Sequence, residues 1–148
     1  MYYRLINEET GLYLGVRESS SNRIVRGFSL DEVSQERNNI HVVWAISHRF
    51  DGAQIGALDA LIRGQFFRLA NGYEKIVVDG RIYDALTVDS PDGNTLKFTV
   101  SEHHNGLYTI QPANDRNAYL SIPPKQVAYH PSVICGHKLS YWKLELNT

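Results

Sequence analysis

The stretch Val43-Trp44-Ala45-Ile46-Ser47-His48-Arg49-Phe50-Asp51-Gly52 has a counterpart in Lys97-Phe98-Thr99-Val100-Ser101-Glu102-His103-His104-Asn105-Gly106. In each stretch an apolar aromatic cluster is followed, eight residues after its aromatic, by the glycine of an Asp-Gly or Asn-Gly pair. A third aromatic cluster, Tyr141-Trp142-Lys143-Leu144, lies near the end of the sequence. Asp-Gly and Asn-Gly suit tight strand connections because their residues tolerate positive φ. The chain therefore contains three segments that end in the same way.

The remaining apolar residues also form short clusters that are separated by Gly, Asn, Asp, Ser and Pro, which is typical of many strands joined by turns. Tyr13-Leu14 and Tyr119-Leu120 recur after two of the segment openings. These patterns predict an all-β protein, a β-trefoil of three pseudo-repeats (about 1–52, 53–106 and 107–148) with about twelve short strands. Trp44, Phe98 and Trp142 are the expected core aromatics. A two-sheet sandwich with accidental self-similarity is the alternative fold.

Two stretches could form helical turns instead of strands. Ser29 to Arg37 has Ser29 three residues before Glu32, which is the spacing of a capping box. Gly56 to Arg63 carries Leu58, Leu61 and Ile62 at helix-like offsets.

The composition describes one domain with no strong charge. The 148 residues are 43% hydrophobic and 21% charged, and the formal net charge is −1. This balance argues against a nucleic-acid or anionic-membrane partner, each of which favours a basic surface. The start of the sequence has no signal-peptide pattern, and the single cysteine excludes an internal disulfide. We expect a cytoplasmic, monomeric protein.

With its three similar segments, the chain resembles fungal β-trefoil proteins, which include mycocypin-type and cospin-type protease inhibitors and ricin-B-like lectins. Tyr3-Arg4-Leu5 with Tyr13-Leu14, followed by Trp44-Ala45-Ile46 and Asp51-Gly52, looks most like the inhibitors. The ricin-type signature Gln-x-Trp is absent, because Val42-Val43-Trp44, Leu96-Lys97-Phe98 and Ser140-Tyr141-Trp142 all lack the Gln. The resemblance therefore implies a protease inhibitor first and a sugar-binding lectin second.

A trefoil inhibitor places a rigid loop in the protease cleft, and a trypsin-like protease requires a basic side chain on that loop. The first candidate loop is Glu18 to Arg23, where the small residues Ser20 and Ser21 precede Asn22 and Arg23. The resemblance to cospin-type inhibitors places the primary contact near Asn22 or Arg23. Further candidate loops are Asp59 to Gly64, which carries Arg63, and Ser47 to Phe50, which carries Arg49.

Inhibition of papain-type cysteine proteases is a further alternative. The resemblance to mycocypins implies that loops of the first repeat would straddle the cleft, here residues 7–11 and 31–39. Both segments are polar and offer no wedge of small apolar residues.

A lectin requires an aromatic platform beside amide or carboxylate groups that bind sugar hydroxyls. Asn114, Asp115, Asn117 and Tyr119 supply these residue types in the last repeat, and Tyr83-Asp84 supplies them in the middle repeat. Asn and Asp are also ordinary turn residues, so a simple turn between strands explains the same pattern.

Catalysis finds little support in the sequence, and we expect no enzyme, no cofactor and no metal site. Cys135-Gly136-His137 places a thiol near an imidazole, but no base or oxyanion hole can be assigned to it. The six histidines form no His-x-x-x-His pair. A buried structural cysteine is the simpler interpretation.

Overall fold

The structure is a computed structural model that describes residues 2–18, 23–36, 39–49, 55–89, 96–124 and 131–147. Within these ranges the chain forms thirteen strands, one short α-helix and one 3-10 turn. The elements are β1 Tyr2–Asn7, β2 Tyr13–Arg17, β3 Val25–Phe28, α1 Leu30–Gln35, β4 Ile40–His41, β5 Val43–Arg49, β6 Ile55–Ile62, β7 Gln65–Val78, β8 Arg81–Asp89, β9 Phe98–Glu102, the 3-10 turn His104–Gly106, β10 Leu107–Pro112, β11 Tyr119–Ser121, β12 Ile134–Gly136 and β13 Trp142–Leu146. The prediction of an all-β protein is confirmed.

Six of the strands form a closed ring of antiparallel pairs. Following the hydrogen bonds, β1 pairs with β5, β5 with β6, β6 with β9, β9 with β10, β10 with β13, and β13 with β1. Closure satisfies the backbone groups that an edge strand would leave unpaired. The ring excludes the alternative of two stacked sheets.

Three hairpins lie outside the ring, and each follows one ring strand and precedes the next. They are β2–β3, β7–β8 and β11–β12. The short strand β4 pairs with β2. The chain thus runs three times through the order ring strand, hairpin, ring strand. Side chains of the hairpins pack with those of the ring strands in one apolar cluster.

The core contains the three aromatics that the sequence predicts. Trp44 and Trp142 are 0% exposed and Phe98 is 1% exposed. They belong to one cluster with the hairpin residues Leu14 and Leu69, so the barrel and the hairpins share a single core. Burial of this apolar surface supplies the main driving force for the fold.

The predicted capping box at the start of α1 is confirmed. The Ser29 hydroxyl accepts a hydrogen bond from the Glu32 backbone N–H at 3.2 Å, and the Glu32 carboxylate accepts one from the Ser29 N–H at 3.0 Å. The reciprocal bonds satisfy two donors that the helix itself leaves free. In the part of the chain described, no helix is both long and apolar enough to cross a membrane.

The suggestion that Gly56 to Arg63 is helical is wrong, because Ile55–Ile62 form β6. Leu58, Ala60 and Ile62 are buried while Asp59 and Leu61 are partly exposed, an alternation with the period of a strand. The loop predicted over Asp59 to Gly64 is therefore much shorter. Only Arg63 and Gly64 connect β6 to β7, with φ values of 50° and 78° that suit a two-residue hairpin turn.

Candidate functional site

Arg23 is the only residue of the predicted inhibitory loop tip that the structure describes, since Ser20, Ser21 and Asn22 lie outside the described residues. Its backbone is hydrogen-bonded to the β7–β8 hairpin. The Arg23 carbonyl accepts hydrogen bonds from the Val88 N–H at 3.2 Å and the Thr87 hydroxyl at 3.1 Å. The end of the loop is therefore anchored on β8.

The Arg23 side chain is also engaged within the protein. Its guanidinium carbon lies 4.3 Å from the centre of the Phe67 ring, a cation–π distance. The inhibitor prediction needs this side chain to reach into a specificity pocket, and in this structure it rests on β7 instead. Sequence reasoning missed Phe67, because no local pattern links a residue of β7 to a loop more than forty positions earlier.

The start of the same loop is held by a charged cluster. Glu18 contacts the His41 imidazole at 3.1 Å, and the Arg63 guanidinium lies 2.5 Å from the other Glu18 carboxylate oxygen. The hydrogen bond to His41 is the main cause that lowers the pKa of Glu18, and the charges of Arg63 and His41 act in the same direction against the effect of burial. Arg63, a candidate contact residue, is thus ion-paired although its side chain is 75% exposed.

Two other inhibitor predictions are corrected by the strand and helix assignments. Arg49 does not lie in a loop after the strand, because its backbone pairs with Ile55 within the β5–β6 ladder. The segment 31–39, predicted as a cleft-straddling loop, contains most of α1, since the capping box starts a helix there. Residues 7–11 do form a turn, and the Asn7 side chain closes it by accepting from the Thr10 N–H at 3.2 Å.

The two sets of predicted sugar-binding residues meet in one depression, which we call the polar groove. It has a volume of about 280 Å³. Tyr83 and Asp84 of β8 line one side, and Asn114 and Asp115 of the turn after β10 line the other. Asn71 adds a further amide. The residues that line the groove therefore include one with an aromatic side chain, two with amide side chains and two with carboxylate side chains.

The other two predicted sugar-binding residues, Asn117 and Tyr119, do not line this groove. Asn117 closes the turn, because its N–H donates to a carboxylate oxygen of Asp115 at 3.0 Å. Tyr119 pairs with Gly136 in the β11–β12 hairpin. Asn117 therefore shapes the turn that carries Asp115, and Tyr119 belongs to the hairpin that carries Cys135, another residue of the groove lining.

Contacts within the protein orient both carboxylates of the polar groove. Asp84 forms an ion pair with Lys75 of the neighbouring strand. The second oxygen of Asp115 lies 3.8 Å from the His137 imidazole. Carboxylates held in this way are pre-organised acceptors for the hydroxyl groups of a ligand.

A second depression, the apolar groove, has a volume of about 300 Å³ and shares Tyr83 with the polar groove. Its apolar lining consists of Val78, Ile122, Pro123, Pro124, Ile134 and Leu139. Charged side chains of both signs, Glu9, Asp79, Arg81 and Lys138, stand around it together with His137. Sequence analysis missed this groove, because its lining comes from four separate parts of the chain.

Cys135 lies in the wall of the polar groove and is unsuited to nucleophilic chemistry. Burial, and secondarily the negative charge of Asp115, raise the pKa of its thiol to about 12. A nucleophilic cysteine needs the opposite shift, toward the thiolate. Among the described residues no group of three or more His, Cys, Asp or Glu side chains is placed to hold a metal ion.

No family model and no curated protein sequence matches the chain. Solved structures do match it: ThreeFoil, a designed 3-fold symmetric protein, has 17% identity and a TM-score of 0.69 over 99% of both chains. The agglutinin of Rhizoctonia solani has 17% identity and a TM-score of 0.65 over 99% of this chain and 94% of its own. The double-headed arrowhead protease inhibitor A, solved with two trypsins, has 10% identity and a TM-score of 0.64 over 97% and 88%.

The chain also matches single portions of larger proteins, since it spans 17% of a mosquitocidal holotoxin and 36% of Cry35Ab1. The neighbours include β-trefoil proteins. At these identities the likeness concerns the fold alone, and it does not separate an inhibitor from a lectin.

Proposed function

We propose that the protein is a β-trefoil binding module, without catalytic activity, whose polar groove takes a carbohydrate. One observation carries the proposal: residues from two different hairpin regions, Tyr83-Asp84 and Asn114-Asp115, converge on one depression. A cleft with a few convergent polar groups is the usual form of a small-molecule site. An aromatic ring beside carboxylates and amides suits a ligand that is apolar on its ring faces and rich in hydroxyl groups.

The size and chemistry of the groove restrict the ligand. A volume of about 280 Å³ is near the lower end of ligand sites, so the groove holds one or two sugar rings rather than a long chain. Carboxylates accept hydrogen bonds from hydroxyl groups but repel anions, so the groove disfavours an anionic sugar. The agglutinin among the structural neighbours is consistent with this class of ligand.

A glycan array followed by titration calorimetry tests the proposal, with two tyrosines as a matched pair. Tyr83 and Tyr119 are both half-buried, but only Tyr83 lines the groove. We expect Tyr83→Ala and Asp115→Asn each to lower the affinity about five- to thirtyfold, because each removes a contact worth roughly 1–2 kcal/mol. Tyr119→Ala should change the affinity less than twofold. Failure of every array glycan to bind, or selective loss in Tyr119→Ala, contradicts the proposal.

Inhibition of a trypsin-like protease is the second candidate, and a specific observation favours it. The two described ends of the segment Glu18 to Arg23 are anchored, Glu18 by His41 and Arg63, and the Arg23 backbone by its hydrogen bonds to Thr87 and Val88. Ends that are already fixed lose little entropy when a protease binds the segment between them. The neighbour solved with two trypsins is an inhibitor of this kind of target.

Residual trypsin and papain activity in the presence of the protein separates the two candidates. If the loop is inhibitory, Arg23→Glu and Asn22→Glu should abolish inhibition of trypsin while the fold stays intact. Arg116→Glu, at an exposed arginine of the turn after β10, is the control and should inhibit like the parent protein. Full protease activity with the parent protein rejects this candidate.

A further inference from the structure

We propose that the ligand is an amphiphilic glycoside, with its sugar in the polar groove and its uncharged apolar aglycone in the apolar groove. This inference rests on the carbohydrate function proposed above and specifies the ligand class of that site. The observation behind it is that one residue, Tyr83, lines both grooves.

The apolar groove is a built depression and not a flat surface. Ile122 and Ile134 form a floor that is 1% and 3% exposed, respectively, and Pro123 adds a rigid ring. Leu139 stands at the rim and is 49% exposed, which leaves a large aliphatic side chain in water. An alkyl or aryl group placed here would cover apolar surface on several sides, which favours its transfer from water.

The two grooves lie on opposite faces of β12 and meet beside it at Tyr83 of β8. Cys135 of β12 lines the polar groove, whereas its neighbours Ile134 and Gly136 line the apolar groove, as expected for the alternating faces of a strand. Asp115 of the polar groove also contacts His137 of the apolar groove at 3.8 Å. A ligand that lies against the Tyr83 ring can therefore present one end to each groove.

The charges around the apolar groove indicate that the aglycone is neutral. Arg81 and Lys138 contribute two positive charges, and Glu9 and Asp79 contribute two negative charges. Because the charges of the described lining residues balance, these residues attract neither an anionic nor a cationic tail. An uncharged alkyl or aryl glycoside fits these lining residues, whereas the charge of a fatty acid or an anionic phospholipid would find no net electrostatic attraction there.

The test compares methyl and octyl glycosides of the sugar that binds best on the array, below the micelle concentration of the octyl compound. We expect the parent protein to bind the octyl glycoside about tenfold or more tightly than the methyl glycoside, since each buried methylene adds affinity. In Leu139→Asp this ratio should fall to about one. Leu146→Asp is the matched control, because Leu146 is 48% exposed and lies on β13 outside both grooves, and there the ratio should persist.

The possible results separate the two proposals. Equal affinities of the two glycosides for the parent protein overturn the inference and leave the carbohydrate function standing. Loss of the ratio in Leu146→Asp as well as in Leu139→Asp also overturns it, because the effect would then be general. Failure of both glycosides to bind overturns the carbohydrate function and the inference together. Val78→Ser, at another lining residue of the apolar groove, is a second variant in which the ratio should fall.

Discussion

Trp142 donates its indole N–H to the carbonyl oxygen of Leu120 at 2.8 Å, and both groups are buried. Trp44 makes the same bond to the carbonyl of Leu14 at 2.9 Å, so a ring strand is tied to its own hairpin twice. In the middle segment the ring aromatic is Phe98, which has no donor. There the carbonyl of Leu69 accepts from the Leu96 backbone N–H at 3.0 Å. A backbone donor thus replaces the missing indole.

Replacing Trp142 by Phe should destabilise the protein by about 1–3 kcal/mol, because the buried Leu120 carbonyl loses its donor. Phe98→Leu is the control, since it removes ring volume while the Leu69 carbonyl keeps its backbone donor. Urea unfolding followed by the fluorescence of Trp44 measures both variants. Equal destabilisation by the two substitutions would contradict a specific role for the indole hydrogen bond.

The stacking of Arg23 on Phe67 should appear as a coupling free energy in a double-mutant cycle. For Arg23→Ala and Phe67→Leu we expect a coupling of about 0.5–1 kcal/mol, the usual range for a cation–π pair at an exposed site. The neighbouring ring of Phe66 contacts Tyr2 instead, so Arg23→Ala and Phe66→Leu should be additive. Additivity in both cycles would mean that the stacking contributes nothing to stability.

Glu18 should make the stability of the protein depend on pH in the acidic range. Its pKa is below the usual value of 4.5 in the folded protein, chiefly because of the hydrogen bond to His41. A lowered folded pKa stabilises the protein fully above the unfolded pKa, and this contribution is lost as the pH falls through the folded pKa. The stability difference between the parent protein and Glu18→Gln should therefore shrink as the pH is lowered below 4.5.

Urea unfolding at several pH values measures this difference. Glu9→Gln changes an exposed carboxylate that forms no ion pair within the described residues, and it serves as the control. A Glu18→Gln variant that follows the parent protein at a constant offset down to pH 3 would show that the contacts of Glu18 do not favour its ionised form.

Cys135 should resist thiol reagents as long as the protein is folded. With a pKa of about 12, almost none of its thiol is ionised at pH 8, and the thiolate is the reactive form. We expect labelling with Ellman's reagent to be at least ~100 times slower in buffer than in urea. Asp115→Asn removes the secondary cause of the shift and should speed labelling modestly. Equal rates in buffer and urea would show that the thiol is accessible and ionisable in the native state.

The sequence predicted the all-β class and the buried aromatics well, because both depend on local signals. Turn chemistry at Asn105-Gly106 is local, and the structure gives positive φ values of 61° and 72° there. The helical alternative for β6 arose from Leu61, an apolar side chain that is nevertheless partly exposed. Apolar residues are common on protein surfaces, so one such residue is enough to mask the period of a short strand.

The sequence predicted the residue types of the candidate site but not which of them meet. The residue types were visible at Tyr83-Asp84 and at Asn114-Asp115, but their meeting depends on the packing of β8 against the third hairpin. The partners of Arg23 and Arg63, which are Phe67 and Glu18, likewise come from distant parts of the sequence. Single-sequence patterns carry no information about such pairings until the strand order is known.

The pairing of β1 with β13 has a practical consequence for the topology of the chain. The Asn147 N–H donates to the Tyr2 carbonyl at 2.9 Å, so the two ends of the described chain run side by side. A short linker could join them, and the chain could be reopened at the exposed Arg63-Gly64 turn. Such a circular permutant would keep all six strand pairs of the ring. Neither new terminus would be a residue that lines one of the two grooves.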